Sequence, residues 1–587
     1  MRRSLASAAV LGLVALVAAP PAHATIVTPP TDFSYQVLTE NVYDPMDVKV
    51  APDGRVIVAQ RDGKIKIWHQ NGAMKTAIHL PIDAARSCVD CAEGINDDGG
   101  IFSMTLDPHF TTNGYIYLWY GRAHTGNPIT NLEEWWLSRL TLQANDIISP
   151  KSEKVLFRAK SWYLDPEGSQ AHSGGLLEFL PDGTLVLGTG DDVDPKCDGG
   201  YGPRDNTKVS GHFCNAEMTV QNPSSPWGKL LRFNADGTYP DGSQKGVRAN
   251  PFIGKKIINP YLPDGRNHLK NYYIPSKPKH PKPIEFLPQI YALGFKQPWR
   301  GAVDPKTGTL FMGDVGADSQ YDDPQKGTAS MDELNRVPYG GGGNYGWPRC
   351  QGNGTYHDYD WQNSVDHGVL DCSHMVKPLV YYTDTNAFSW NVVGAGPKTG
   401  QATLIYQANK GSLALPSRFF SHLIYTDWSR NFIYAVPETN GTLNVDQTQW
   451  ELMRPPIPSG TFVGLPYSVP PAAANLATLM APIDADQGRD GAYYFVEYGG
   501  GYGNNPLSRL SRLICTGCTP NPAKDFVHTA GVPVVDAAHA LNPAPVVAAP
   551  SKAAARAASP ITAPRVAGGA IALVLLGIGW TRRRATF

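Results

Sequence analysis

Short runs that alternate apolar and polar residues recur along the chain, each folded about a turn. They read MDVKVAPDGRVIVAQRDGKIKIW (46–68), GIFSMTLDPHFTTNGYIYLWYG (100–121), GGLLEFLPDGTLVLGTGD (174–191), RGAVDPKTGTLFMGDVG (300–316) and DADQGRDGAYYFVEYGG (484–500), with a further strand pair in FFSHLIYTDWSRNFIYAV (419–436). A period of two marks strands with one buried face, and Asp-Gly or Asn-Gly between them marks hairpins. Asp53, Gly54, Asp182 and Gly183 are therefore read as turn formers. Short antiparallel sheets repeated over so long a span predict an all-β chain whose sheets are the blades of a ring, a β-propeller. Six blades fit the span best, with long connections absorbing the uneven spacing. A β-sandwich would be much shorter. In a propeller the loops that converge on one face line the central cavity, so chemistry is sought there.

Composition supports this reading. The 59 Gly, 50 Pro, 27 Tyr and 13 Trp among 587 residues suit tight turns between aromatic-bearing strands. A formal net charge of -1 provides no cationic surplus for phosphate, which argues against nucleic acid as a partner. The N-terminus, MRRSLASAAVLGLVALVAAPPAHA, has a basic start, an apolar run and a small-residue end, the pattern of a signal peptide over 1–24. The propeller is expected over 25–518. An Ala/Pro-rich stretch without periodicity follows as a tether over 519–565. Residues 566–587 form an apolar run ending in Arg582, Arg583 and Arg584, the flank of a short membrane anchor or sorting helix. The chain is thus expected to be exported to the periplasm, the cell surface or the medium, with its C-terminal run either a membrane anchor or a sorting signal that is cleaved. Export makes its eight cysteines candidates for disulfides. Proximity suggests Cys197 with Cys214, Cys350 with Cys372, Cys88 with Cys91 and Cys515 with Cys518. The two CxxC pairs forming one zinc site is the alternative.

The runs PMDVKVAPDGRVIVAQRDGKIKIW, GGIFSMTLDPHFTTNGYIYL, HSGGLLEFLPDGTLVLGTGD, WGKLLRFNADG, GFKQPWRGAVDP and DELNRV…GGNYGWP, in this order over roughly residues 35–515, resemble the glucose/sorbosone dehydrogenase family. The resemblance implies a six-bladed propeller that binds pyrroloquinoline quinone (PQQ) above a calcium ion and oxidises a sugar. It places the family's general base at His172, whose imidazole titrates near neutrality. Judged on its local sequence alone, His172 is an ordinary loop residue. Asp98 falls at the family's substrate contact, or is a turn-forming Asp. Gly316 and Ala317 fall where backbone carbonyls hold calcium. Tyr345 and Trp347 are candidates for stacking on a sugar ring, or packing anchors of the NYGWP motif.

The chain also departs from the family pattern. Where relatives often carry an Arg-Asn pair at the cofactor, GFKQP supplies Lys296 and Gln297; Lys keeps the charge without the bidentate fork. Gln407 stands where a cation is common. Arg430 matches a carboxylate-binding arginine, and Lys410 is the candidate replacement for the missing charge. The leading expectation is an exported PQQ- and calcium-dependent dehydrogenase acting on an aldose or related alcohol, passing electrons to an acceptor the sequence does not identify. The alternative is a non-catalytic, surface-displayed propeller that binds a carbohydrate or protein. A calcium-dependent hydrolase is a third reading, opposed by the HSGG and NYGWP runs.

Overall fold

The structure is a computed structural model that describes residues 34–82, 99–122, 134–160, 172–193, 197–202, 204–209, 212–257, 283–317, 319, 322–360, 364–383, 400–427, 432–446, 449–454, 481–498 and 508–515. The expected signal peptide, tether and C-terminal apolar run lie outside these residues, as do Asp98, Arg430, Cys88, Cys91 and Cys518. Among the described residues no helix is long and apolar enough to cross a membrane.

Six sheets of four or five strands form the ring. Their innermost strands, in chain order, are Pro45–Val50, Ile101–Leu106, Leu177–Phe179, Pro298–Val303, Gly400–Tyr406 and Pro482–Gln487, which define blades 1 to 6. Each is the edge of an antiparallel meander, so every blade presents its first strand to the channel and its last to the outside. The predicted hairpins in blades 1, 2, 3, 4 and 6 are the first and second strands of those blades, as in Leu177 opposite Leu187. Blade 5 differs: the 419–436 run supplies its second and third strands, and Gly400–Tyr406 is the channel strand. The ring closes through Ser34–Thr39, which pairs with Arg509–Ile514 and completes blade 6 with a strand from the other end of the chain. Only non-local pairing reveals that closure, because Ser34–Thr39 has no hairpin partner beside it in sequence.

Buried aromatics fill the contacts between blades. Phe102 of blade 2 meets Trp135 edge-on at 5.2 Å and Trp299 of blade 4 at 5.5 Å. Such T-shaped pairs add to the large areas these rings bury. Arg300 of blade 4 ties the ring across its axis. Its guanidinium donates to Gly175 O at 2.6 Å, to Phe102 O at 3.1 Å and to Met46 O, carbonyls of blades 3, 2 and 1, and its Nε lies 3.4 Å from Asp484 of blade 6. Gly175 is required there, since a Cβ on it would sit 2.8 Å from the guanidinium.

The four glycines of GGGGNYGWP have a similar steric origin. They carry the chain past the outer strand of blade 3, and a Cβ on Gly341 would lie 2.5 Å from Tyr291. The run then turns in beside Leu293, with the Tyr345 N–H donating to Leu293 O at 2.8 Å. The expected Cys350–Cys372 disulfide is present, and Cys197 and Cys515 are also disulfide-bonded.

Candidate active site

Because all innermost strands run the same way, the channel has two chemically different mouths. The loops before the first strand and after the second strand of each blade gather at the upper mouth. The turns between first and second strands gather at the lower one. His172 to Gly175 precede the first strand of blade 3, and Lys296 and Gln297 precede that of blade 4. Asp191 follows the second strand of blade 3, and Gly316 follows that of blade 4. All of them therefore belong to the upper mouth, where blades 3 and 4 meet.

The backbone at His172 is left-handed, with φ 59°, a costly conformation for a residue bearing a Cβ. Its imidazole is bonded on both sides. Nδ1 lies 2.7 Å from Asp191 Oδ1, and Nε2 lies 2.9 Å from Lys296 Nζ. A carboxylate only accepts and an ammonium only donates. These partners assign the proton to Nδ1 and leave Nε2 as the acceptor, the tautomer in which Nε2 carries the basic lone pair.

Asp191 is held at every polar atom. Its Oδ2 accepts from Trp347 Nε1 at 2.7 Å and its Oδ1 from the Val193 N–H at 3.1 Å. Its own N–H donates to Lys296 O at 2.7 Å, and its carbonyl accepts from Thr219 Oγ1 at 2.7 Å. Close chain approaches complete the packing: a Cβ on Gly190 would lie 1.8 Å from His172 O, and one on Gly174 would lie 2.0 Å from Gly188 O.

On the blade 4 side, the N–H groups of Lys296 and Gln297 both donate to the Asp314 carboxyl, at 3.2 and 2.7 Å. Gln297 Oε1 accepts from the Gly174 N–H at 2.8 Å, which links the two loops and assigns its Nε2 as the remaining donor. Asp314 faces Glu333 in register across the sheet. Burial, then the neighbouring Glu333, holds the Asp314 carboxyl well above its ordinary range. Burial likewise pushes Glu333 up to about 7, against hydrogen bonds from the Gly352 N–H and Asn335. The Gly316 N–H donates to Asp332 at 2.9 Å and the Ala317 N–H to Gln351 at 3.2 Å. In a trans peptide the carbonyl opposes the following N–H, so the Gly316 carbonyl is turned away from Gln351.

The structure thus brings His172, Lys296, Gln297, Gly316 and Ala317 to one mouth. One other expectation, Lys410, is corrected, and for Tyr345 and Trp347 burial favours packing over stacking on a sugar. Lys410 is exposed in the turn after the first strand of blade 5, at the lower mouth, where Gln407 also lies. It cannot replace a cation at His172, because the strand between carries the chain from one mouth to the other. Tyr345 is 3% exposed, lies tilted against Phe295 with ring centroids 4.6 Å apart and donates to Arg336 O, so it packs the core and has no face for a substrate. Trp347 is equally buried, and its indole N–H positions Asp191.

In the sequence Asp191 is only the residue that ends the GGLLEFLPDGTLVLGTGD run. The signal that identifies it is register: with Leu177 opposite Leu187, continuing the hairpin brings residue 172 opposite 192, beside Asp191.

The model of the glucose/sorbosone dehydrogenase family matches residues 42–262 and 274–403, well over half the chain. An uncharacterised Synechocystis sp. protein is 24% identical over 340 residues, covering 57% of this chain and 62% of that protein. Quinoprotein glucose dehydrogenase B of Acinetobacter calcoaceticus is 24% identical over 323 residues, covering 55% of this chain and 53% of its own length. The alignments thus span little more than half of each relative. A solved glucose dehydrogenase structure superposes with a TM-score of 0.50 at 15% identity, over 82% of this chain and 98% of that one, a likeness of fold. With the His172–Asp191 pair standing at the upper mouth of a six-bladed ring and the family model matched across both blades that build it, the chain belongs to the glucose/sorbosone dehydrogenase family.

Proposed function

We propose that this protein is an exported, PQQ- and calcium-dependent dehydrogenase that oxidises an aldose or related alcohol, with His172 as the general base. The observation that carries the reading is the assigned tautomer: Nδ1 bonded to Asp191 at 2.7 Å, and Nε2 turned to the ammonium of Lys296 at 2.9 Å. The donor set fits a flat quinone bearing several carboxylates. Lys296 supplies the cation for one carboxylate and Gln297 Nε2 a neutral donor, while Gly174 and Gly190 keep side-chain bulk out of the loops around them. The Gly316 and Ala317 carbonyls are hard oxygen ligands of the kind calcium takes. When bound, the quinone accepts the hydride from the sugar carbon.

The chain's own part is to take the proton. Asp191 fixes the ring and stabilises the imidazolium formed when Nε2 removes the hydroxyl proton. In the structure that lone pair is held by Lys296, so the base is masked. Lys296 is the residue that would hold a cofactor carboxylate, and its ammonium turned that way would leave Nε2 to the substrate hydroxyl. Lys296 thus couples cofactor binding to unmasking of the base, a role in which the compact ammonium of lysine differs from the fork of arginine.

The test is to add PQQ and calcium to the purified protein, measure quinone binding by calorimetry, and measure dye reduction over a panel of aldoses and alcohols. Binding and turnover are expected, with His172→Ala abolishing turnover while leaving quinone affinity nearly intact. Absence of quinone binding would overturn the reading in favour of a non-catalytic binding propeller.

A further inference from the structure

The lower mouth of the channel has chemistry of its own. On the far side of the Arg300 crossing, the C-terminal ends of the innermost strands and the turns that follow them line a cavity of about 320 Å³. That volume suits a small ligand. Phe110, Phe179 and Leu404 supply apolar wall, while Lys49, Glu178 and Asp486 supply charge. The Lys49 ammonium already meets three carboxylates, Asp47 at 3.2 Å, Asp484 at 3.2 Å and Glu178 at 3.5 Å, so it is poorly placed to take an anion as well. Asp486 accepts the Val50 N–H at 2.7 Å. Arg300, the other cation, shares Asp484 and gives its remaining N–H groups to backbone carbonyls.

Asp47, Glu178 and Asp484 therefore share Lys49, with Arg300 also beside Asp484; Asp47 and Asp484 are buried and Glu178 is partly exposed, and unbalanced charge is expensive in such a place. Asp107 on the rim is occupied by the His109 N–H, Asn113 and Tyr117, and the adjacent His109 is exposed. Blade 5 contributes the uncharged Thr403 and Gln407. Among the described residues that line the cavity, the carboxylates of Asp107, Glu178 and Asp486 outnumber the one ammonium, that of Lys49.

We propose that this lower cavity binds a small organic cation, an ammonium group on an apolar or aromatic body, with its head beside Glu178 and its body against Phe179 and Phe110. Aromatic faces favour such a head as well. Burial pushes the Glu178 carboxyl up to about 7, with Asp484 and Asp486 adding to the rise and Lys49 opposing it. A bound cation selects the ionised carboxylate, so affinity rises with pH through that value and levels off above it.

The experiment uses the full chain without added quinone, with benzylammonium as probe and benzyl alcohol and benzoate as neutral and anionic comparators, by calorimetry at pH 6 and pH 8. Benzylammonium is expected to bind about tenfold more tightly at the higher pH, the ratio set by ionisation of one carboxyl. Glu178→Gln should remove that pH dependence and weaken binding about tenfold. Leu404→Trp, which fills the cavity, should abolish binding. Both variants leave the upper mouth untouched, so quinone binding should be unchanged in them, which separates this site from the proposed dehydrogenase site. Equal binding of benzyl alcohol, preference for benzoate, no benzylammonium binding at either pH, or benzylammonium binding unaffected by both substitutions would each overturn the proposal.

Discussion

Replacing Asp191 with Asn tests the mechanism at the point where geometry is most constraining. Asp191 now accepts on both oxygens, from His172 and Val193 on one and from Trp347 on the other, all within 3.1 Å. An Asn offers one accepting oxygen. With that oxygen on the indole N–H, the amide NH₂ faces His172 Nδ1 and forces that nitrogen to accept. The ring proton then moves to Nε2, where it opposes the Lys296 ammonium, donor against donor.

The base is thus lost without removing the histidine, and turnover should fall by roughly 100- to 10,000-fold, the range general-base catalysis contributes. Loss of a buried charge-assisted hydrogen bond should also cost about 2 kcal/mol of stability. The assay is steady-state dye reduction with PQQ and calcium, paired with ¹⁵N NMR of the His172 ring in the protein without quinone. The wild-type spectrum should show a protonated Nδ1, and Asp191→Asn a protonated Nε2. A variant that keeps most of its activity, or a wild-type ring already protonated on Nε2, would refute the reasoning.

Two further outcomes follow from the same neighbourhood. Lys296→Met should weaken PQQ binding by about 10- to 100-fold, the worth of one charge-assisted contact, with Lys296→Arg recovering part of it; titration of quinone into each variant decides, and undiminished affinity in the Met variant would remove Lys296 from the cofactor site. For Glu333, burial raises the folded-state value from 4.5 to about 7, so the folded protein holds a proton that the unfolded chain has released. Its contribution to stability is full below pH ~4.5 and is lost as pH rises to about 7, amounting to about 3 kcal/mol. Glu333→Gln keeps an acceptor for the Gly352 N–H and cannot ionise, so denaturant midpoints at pH 5 and pH 8 should differ less than in the wild type. Parallel shifts in the two proteins would contradict the assignment.

The alternating runs and their turns determined much of this protein directly from sequence: the strand pairs, the ring of six blades, and His172 at the start of a blade. These features are local, since period-two burial and a two-residue turn involve neighbours in the chain. Tertiary structure decided what depends on direction and distance. The sequence could not show that Ser34–Thr39 closes the ring with Arg509–Ile514, because nothing near either strand encodes the other. Nor could it show that Lys410 lies at the opposite mouth from Lys296, a consequence of all first strands running the same way. In sequence Asp191 is only the end of a strand run, and Trp347 is either a ring for a sugar or a packing anchor. Folding places the indole N–H 2.7 Å from that carboxylate, and the carboxylate 2.7 Å from His172. A hydrogen bond is fixed by atomic position rather than by residue spacing, so the residue was readable and its chemistry was not.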